Sequence, residues 1–302
     1  MPIYRNLFET GGLERRVSET HEMLKECKLC ARECGVNRLD GEKGFCKSGK
    51  LAMVSSVGPH FGEEPPLVGS HGSGTIFFTN CNLGCVFCQN YDISQLGDGK
   101  EIDSSYLARA MLSLQSVGCH NINFVTPAHY VPQILDALLI AVKDGLNIPL
   151  VYNCGGYESL RTLKLLDGVF DIYMPDIKYG DNDAGKKYSK APNYFDVVTA
   201  AVSEMHRQVG DLTINEHGIA ERGLLIRHLV LPNDLARTKK VIEYVSGLSK
   251  NTYLNIMAQY RPQYRASKYT ELNRRITSEE YENALLLAEK AELTRGFSHD
   301  RR

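Results

Sequence analysis

The sequence has no apolar run long enough to cross a bilayer, and its amino end, MPIYRNLFETGGLERR, carries charges throughout with no cleavable apolar leader. Neither membrane insertion nor secretion is expected, and the chain reads as soluble and cytoplasmic. It also lacks an excess of either charge: 35 Lys and Arg stand against 36 Asp and Glu, interspersed, for a net charge of −1. Without a basic block, no nucleic-acid or anionic-membrane partner is expected. Arg237, Lys239 and Lys240 fall on an amphipathic helical stretch and read as its solvated face. Internal repeats and low-complexity tracts are absent, and with 43% apolar and 24% charged residues the chain should fold rather than remain disordered.

What it has in abundance is cysteine. Nine in 302 residues is a high count, and in a reducing compartment thiols serve metals or redox chemistry rather than disulfides. Seven fall in two tight groups. Cys119 and Cys154 stand alone, and Cys154 reads as a small buried hydrophobe.

Residues 1–70 are rich in Gly, Pro and Cys, with little periodicity beyond a short charged helix from Leu13 to Glu26. The Gly and Pro density from Gly58 to Gly74 is that of loop, which places a boundary near residue 70 between an amino-terminal segment and a larger domain over 71–302. From Gly74 onward, short apolar runs alternate with longer amphipathic ones, the pattern of β/α units on a parallel sheet. Strands are expected at Thr75–Thr79, Asn121–Val125, Pro149–Asn153, Phe170–Met174, Leu224–Val230 and Thr252–Met257. Helices are expected at Ser104–Gln115, at Pro132–Lys143 and from Ser278 to Leu293, the last opened by a capping box of Thr277 and Glu280. Leu212 to Arg222 reads as a hairpin or long loop inserted before the fifth strand, and the tail from Arg295 as frayed. Six units fall short of the eight that close a barrel. The fold class is therefore α/β, a partial (β/α)6 barrel with a small Cys-rich metal-binding amino-terminal segment, and a doubly wound sheet is the alternative.

The segment SGTIFFTNCNLGCVFCQN is a buried strand followed by Cys81-x3-Cys85-x2-Cys88. Three thiolates on one loop suit three corners of an iron–sulfur cubane and leave the fourth iron open. Nine cysteines placed at random would give this spacing in roughly 0.8% of chains, so chance is a poor account of it. A structural zinc knuckle completed by a distant ligand is the alternative, although zinc ligands normally come as two pairs.

Cys-x3-Cys-x2-Cys with an aromatic before the last Cys, here Phe87, resembles the signature of the radical S-adenosylmethionine superfamily. The flanking segments are similar to its branch of pyruvate formate-lyase-activating-enzyme-like proteins, and the likeness covers essentially the whole chain. The resemblance implies a [4Fe–4S] cluster on Cys81, Cys85 and Cys88, with S-adenosylmethionine chelating the open iron. One electron, from a donor such as flavodoxin or ferredoxin, would cleave the cofactor to a 5′-deoxyadenosyl radical that takes hydrogen from substrate.

It also implies cofactor contacts at the strand ends. Where relatives carry a Gly-Gly-Glu motif after the second strand, this chain reads Asn123-Phe-Val-Thr-Pro-Ala-His129. The acidic residue is missing, so Thr126 and His129 are the candidates for its task. Asn153, in Asn-Cys-Gly-Gly, resembles a ribose contact, and glycines there would let the backbone approach a ligand. Asp176 and Lys178 alternate onto one side of the fourth strand, as a polar contact to cofactor or substrate or as a salt bridge at the barrel mouth. Arg227 lies within an apolar run and needs a carboxylate, either the cofactor's or one such as that of Asp176. His228 faces the other way and reads as structural. Gln259, Tyr260 and Arg261 could face substrate or anchor the last loop.

Cys27-x2-Cys30-x3-Cys34-x11-Cys46 is a complete set of four soft ligands. A segment so short and polar would depend on a metal cross-link to fold. Zinc and an auxiliary [4Fe–4S] cluster both suit it, with Lys25, Lys28, Arg32 and Arg38 to offset thiolate charge. The wide separation of the end ligands and the absence of Pro after Cys46 favour zinc.

The leading function is thus a radical enzyme acting on a protein or peptide, as activases that install a glycyl radical do. Radical modification of a small metabolite is the second reading, and a noncatalytic iron–sulfur or electron-transfer protein the third.

Overall fold

The computed structural model describes residues 1–297. Among them run nine strands: β1 (Ala52–His60), β2 (Ser73–Phe78), β3 (Lys100–Ile102), β4 (Ile122–Val125), β5 (Leu150–Cys154), β6 (Ile172–Pro175), β7 (Thr213–Ile214), β8 (Ala220–Leu229) and β9 (Tyr253–Met257). β2, β4, β5, β6, β8 and β9 pair in that order and all in parallel. These are the six expected β/α units. The sheet stays open, because β9 pairs with β8 and not with the strands at the far edge. The alternative of a doubly wound sheet gives way to the partial barrel.

The helices are α1 (Tyr4–Glu9), α2 (Gly12–Glu22), α3 (Pro65–Val68), α4 (Tyr91–Ser94), α5 (Ser104–Ser116), α6 (Val131–Lys143), α7 (Leu160–Leu165), α8 (Asn182–Ser189), α9 (Tyr194–Val209), α10 (Thr238–Leu248) and α11 (Ser278–Lys290). Asp103 caps α5 by accepting from Tyr106 N, and Thr277 with Glu280 forms the expected capping box on α11. The amphipathic face of α6 buries Ile134, Leu135, Leu138 and Val142, each contributing about 1.5–3 kcal/mol. β7 and β8 form the expected hairpin, Thr213 opposite Arg222.

Alternation along the strands sorts side chains into two layers. Phe78, Phe124, Tyr152, Tyr173, Ile226 and Ile256 face the helices in the main core. On the inner side, Val151, Ile172, Met174, Leu212, Ala220 and Leu225 close around Leu67.

Leu67 belongs to the stretch expected as loop, and here the structure differs. β1 pairs antiparallel with β2 from Val54 opposite Phe78 to His60 opposite Ser73, and α3 follows. Pro59 is tolerated because β1 lies near the sheet's edge, where only the three-residue β3 covers it. The sheet therefore reaches back to residue 52. The charged helix ends at Glu22 rather than Glu26, the chain turning at Met23 and Leu24 to enter the cysteine segment. Of the tail, Arg295 is docked: it bridges to Tyr253, and its guanidinium donates to Asn251 O (3.0 Å) and Leu212 O (2.7 Å). Residues 298–302 lie outside the described residues.

Candidate active site at the carboxyl ends of the parallel strands

β2 ends at Phe78, and two residues on, Asn80, with a positive φ of 65°, turns the chain into the cysteine loop. The loop is held mainly by α8. Gly84 N donates to Ser189 O and Val86 N to Tyr188 O, both at 2.8 Å. The Ser189 hydroxyl lies 2.9 Å from Cys85 Sγ, Ser94 Oγ lies 3.1 Å from Cys88 Sγ, and Leu83 N donates to Cys81 Sγ at 3.3 Å. Phe87 is buried edge-on between Tyr179 and Tyr260.

Burial pushes the Cys81 thiol well above its ordinary pKa and Cys85 up to about 11. As bare thiols both stay protonated at neutral pH. A bound cation is what would ionise them. Three soft donors, each with a hydroxyl or an amide within hydrogen-bond reach of its sulfur, fit an iron–sulfur cluster.

The neighbouring strand ends deliver a polar group beside this loop. Arg227 donates from Nε to Asp176 Oδ1 and from Nη2 to Asn153 Oδ1, both at 2.7 Å, and Lys178 Nζ donates to Asp176 Oδ2. The alternation read from the sequence puts all four on the inner face. Burial alone would raise the Asp176 pKa, but Arg227 and then Lys178 reverse that and hold the carboxyl below its ordinary range. Lys178 is also within electrostatic reach of Cys85, which ties this group to the cysteine loop.

Sequence reasoning missed two carboxylates. Glu63 Oε2 approaches Arg227 Nη1 at 3.6 Å, and Glu64 accepts from Asn255 Nδ2 at 2.9 Å. Both come from the segment that leads into α3, whose Leu67 packs on the inner face. Burial raises the Glu63 pKa, and Arg227 only partly offsets it. The sequence signal was present, two adjacent acids followed by two prolines, but a Gly- and Pro-rich context reads as exposed.

Thr126 sits at the end of β4 with φ of 63°, its N–H donating to Asn153 O at 2.8 Å. His129 is elsewhere: its Nε2 meets Thr79 O at 3.0 Å and the residue lines the amino-terminal cysteine cavity. Burial drives its pKa down to about 3. His228 is structural, with Nδ1 donating to Ile177 O (2.7 Å) and Nε2 accepting from Thr238 (3.0 Å). Gln259, Tyr260 and Arg261 line a cleft of about 610 Å³ with Gln89 and Arg275. Cys154 is buried beside Glu158 and does not join the polar group. The glycines after it serve packing: a Cβ on Gly155 would lie 2.6 Å from Leu83 Cδ1, and one on Gly156, φ 76°, 2.6 Å from Asp176 O.

At the amino end, Cys27, Cys30 and Cys46 are buried, Cys34 is exposed, and all four line one cavity. Arg38, 1% exposed, donates to His129 O at 2.7 Å and to Gly49 O, fastening the segment to the barrel. Arg32 also lies at the thiols. Lys25 and Lys28 instead pair with Glu22 and Glu26.

A partial barrel with soft donors on the loop after its first strand, and polar groups at the following strand ends, is the layout of a cofactor-dependent enzyme. Residues 75–219 match the Radical SAM superfamily. An uncharacterized protein of Methanocaldococcus jannaschii is 38% identical over 290 residues, covering 93% of this chain and 79% of the relative. The pyruvate formate-lyase-activating enzyme of Clostridium pasteurianum is 26% identical over 213 residues, 67% of this chain and 77% of that one. Among solved structures, Streptococcus suis SuiB bound to precursor peptide SuiA superposes with a TM-score of 0.52 at 13% identity, over 72% of this chain and 46% of SuiB. The chain belongs to the radical SAM superfamily. The family's cofactors are a [4Fe–4S] cluster and S-adenosylmethionine, and its chemistry is reductive cleavage of the latter. No helix among the described residues is long and apolar enough to cross a membrane.

Proposed function

We propose that Cys81, Cys85 and Cys88 carry the cluster and that the inner-face polar group binds S-adenosylmethionine, in an activase-like enzyme whose substrate is a polypeptide. The observation that carries the first part is the juxtaposition of the three-cysteine loop with Asn153, Asp176, Lys178 and Arg227 at one end of the sheet. Bound there, the cluster and cofactor would supply one-electron reductive cleavage and hydrogen abstraction.

The chain's own residues do the rest. Asp176, held ionised, is an acceptor for a cationic amino group, and Arg227 and Lys178 are donors for a carboxylate. Asn153 keeps amide capacity for a ribose hydroxyl. Phe87 walls the loop from the cleft side, and Thr126 stands where relatives place their acidic motif. His129 fits the cofactor less well, because its ring is turned to Thr79.

Support for a polypeptide substrate comes from the open sheet, from the cleft that Gln89 lines, and from likeness to an activating enzyme and to a peptide-bound structure. Residues 1–70 act as a metal-binding segment through Cys27, Cys30, Cys34 and Cys46. A flavodoxin- or ferredoxin-like donor supplies electrons in the cytoplasm.

Anaerobically reconstituted protein with dithionite and S-adenosylmethionine should release methionine and 5′-deoxyadenosine. A Cys81→Ala/Cys85→Ala/Cys88→Ala variant that still released them would refute the cluster assignment. Deuterium from labelled proteins should appear in 5′-deoxyadenosine; label arriving only from small metabolites would overturn the polypeptide reading and leave the cleavage chemistry standing.

A further inference from the structure

The segment from Ala258 to Thr277 follows β9, the last parallel strand, where the sheet stays open. It is fastened to the cysteine loop. Arg265 N donates to Val86 O at 2.8 Å, Gln89 Nε2 donates to Gln259 O at 3.0 Å, and the Tyr260 ring meets Phe87 with centres 5.7 Å apart. The Tyr260 hydroxyl also donates to Leu272 O at 2.7 Å. Of the three residues expected to face substrate or to anchor the last loop, Tyr260 therefore anchors. Gln259 and Arg261 are exposed and are left for the other role.

Two clefts flank this segment. Gln89, Gln259, Arg261, Arg275 and Tyr281 line one of about 610 Å³. Tyr91, Pro262, Tyr264 and Asn273 line another of about 420 Å³, where the Tyr91 and Tyr264 rings stack with centres 5.2 Å apart. Gln89 and Tyr91, one from each lining, come soon after Cys88 in the chain, so both clefts lie where the cysteine loop ends. Among the described residues, no carboxylate lines either of them.

The charge of this segment departs from that of the whole chain. Arg261, Arg265, Lys268, Arg274 and Arg275 stand against Glu271 alone, in a protein whose cations and anions otherwise balance. Glu271 is already taken by Lys187 (2.7 Å) and the Tyr188 hydroxyl (2.8 Å), and Arg274 by Glu280 (2.7 Å). Among the described residues, Arg261, Arg265, Lys268 and Arg275 form no ion pair, and Arg265 only leans on the Tyr264 ring, 4.9 Å from its centre. Like charges gathered on one face repel, and the fold supplies nothing here to offset them. An anionic partner would.

We propose that this surface docks an acidic segment of the polypeptide substrate, whose Asp and Glu side chains meet Arg261 and Arg275 in the first cleft and Arg265 and Lys268 beside the second. The proposal rests on the polypeptide reading above and narrows it to a substrate class. Guanidinium groups match carboxylates in bidentate pairs, and the stacked Tyr91 and Tyr264 with Pro262 back the residues between them. An acidic stretch seated here holds the adjoining part of the substrate at the mouth that carries the cysteine loop. Selection then acts on the sequence around the reacting residue rather than on that residue itself. A nucleic acid is the poorer match, because a chain of net charge −1 spreads no extended basic field.

The test is fluorescence anisotropy of full-length, anaerobically reconstituted protein with fluorescein-labelled peptides of alternating Gly and Glu, Gly and Gln, or Gly and Lys. The Gly-Glu peptide should bind about tenfold more tightly than the other two, and its affinity should fall as salt rises from about 0.05 M to about 0.5 M. Arg261→Glu/Arg275→Glu should weaken it about tenfold. Arg15→Glu/Lys239→Glu, which removes the same charge at exposed positions elsewhere, should leave it within about twofold. Equal affinity for the three peptides, or equal loss in the two variants, would overturn the proposal. So would a labelled oligouridylate that binds wild type more tightly than the Gly-Glu peptide. If Arg261→Glu/Arg275→Glu fails to fold, Arg261→Gln/Arg275→Gln gives the same measurement, and undiminished affinity there would overturn the proposal as well. Deuterium reaching 5′-deoxyadenosine from labelled proteins, with no preference for the Gly-Glu peptide, would sink the groove and leave the polypeptide reading standing. A Gly-Glu preference with label arriving only from small metabolites would keep an acidic docking surface and remove the substrate from it.

Discussion

The loop of Cys81, Cys85 and Cys88 places Leu83, Val86 and Phe87 in the same apolar core as the barrel helices. The segment of Cys27 to Cys46 packs only a small cluster of its own, Met23, Leu24, Cys27 and Leu29, with Val36 and Leu165 against it. Its backbone is cross-linked by a few bonds, among them Cys27 N to Val36 O and Arg38 N to Leu24 O. One set of thiols is presented from the barrel's own core; the other sits on a segment with little core of its own, which the metal proposed for it would complete. On that proposal, similar ligands sit at opposite ends of the coupling between binding and folding.

The most severe way to break this contrast is to remove ligands. Single Cys→Ala changes at 81, 85 or 88 should cut 5′-deoxyadenosine release to background while leaving the melting temperature within a few degrees of the apoprotein. Stripping all metal with a chelator should raise amide exchange across residues 27–46 toward that of an unfolded chain, with β2 still protected. Equal loss of protection in both regions would end the distinction.

Next in size is the charge group on which the first loop depends. Arg227→Ala leaves Asp176 and Glu63 buried with one cation fewer and should destabilise by about 3–5 kcal/mol in urea unfolding. The Asp176 carboxyl is depressed relative to the unfolded chain, so its stabilisation is present above its ordinary pKa and disappears as pH falls through the folded value. The stability gap between wild type and Asp176→Asn should accordingly be wide at pH 6 and narrow toward pH 3.

Gly156→Ala forces a side chain into φ 76° against Asp176 O and Val198 and should cost about 1–3 kcal/mol. Smallest is Phe45→Leu, which removes the stacking of Arg32 and should cost about 1 kcal/mol, read as a slight fall in melting temperature.

The sequence displayed the barrel because each of its six parallel strands is a local apolar run and each helix a local periodic one. It displayed the hairpin before β8 and the capping box of α11 for the same reason. β1 escaped because only Ala52 and Val54 alternate cleanly; Ser56, Gly58 and Pro59 form a strand because β2 offers them an edge, past a shift of register at Ser55. Asp176, Lys178 and Arg227 were readable from alternation and from the cost of an unpaired charge. Glu63, Ser189 and Arg32 were not, since each meets its partner across at least 50 residues, a pairing that only the fold creates. His129 was placed by its distance from β4 alone, and the tie of its ring to Thr79 was invisible.

Leu67, wedged among Val151, Ile172 and Leu225, fills the inner face beneath the polar group with apolar side chains. A ligand held by that group is backed on this side, and its exchange is left to the mouth that holds the cysteine loop and to the side where the sheet does not close. A large substrate seated in the mouth would thus slow the departure of whatever lies beneath it without sealing it in.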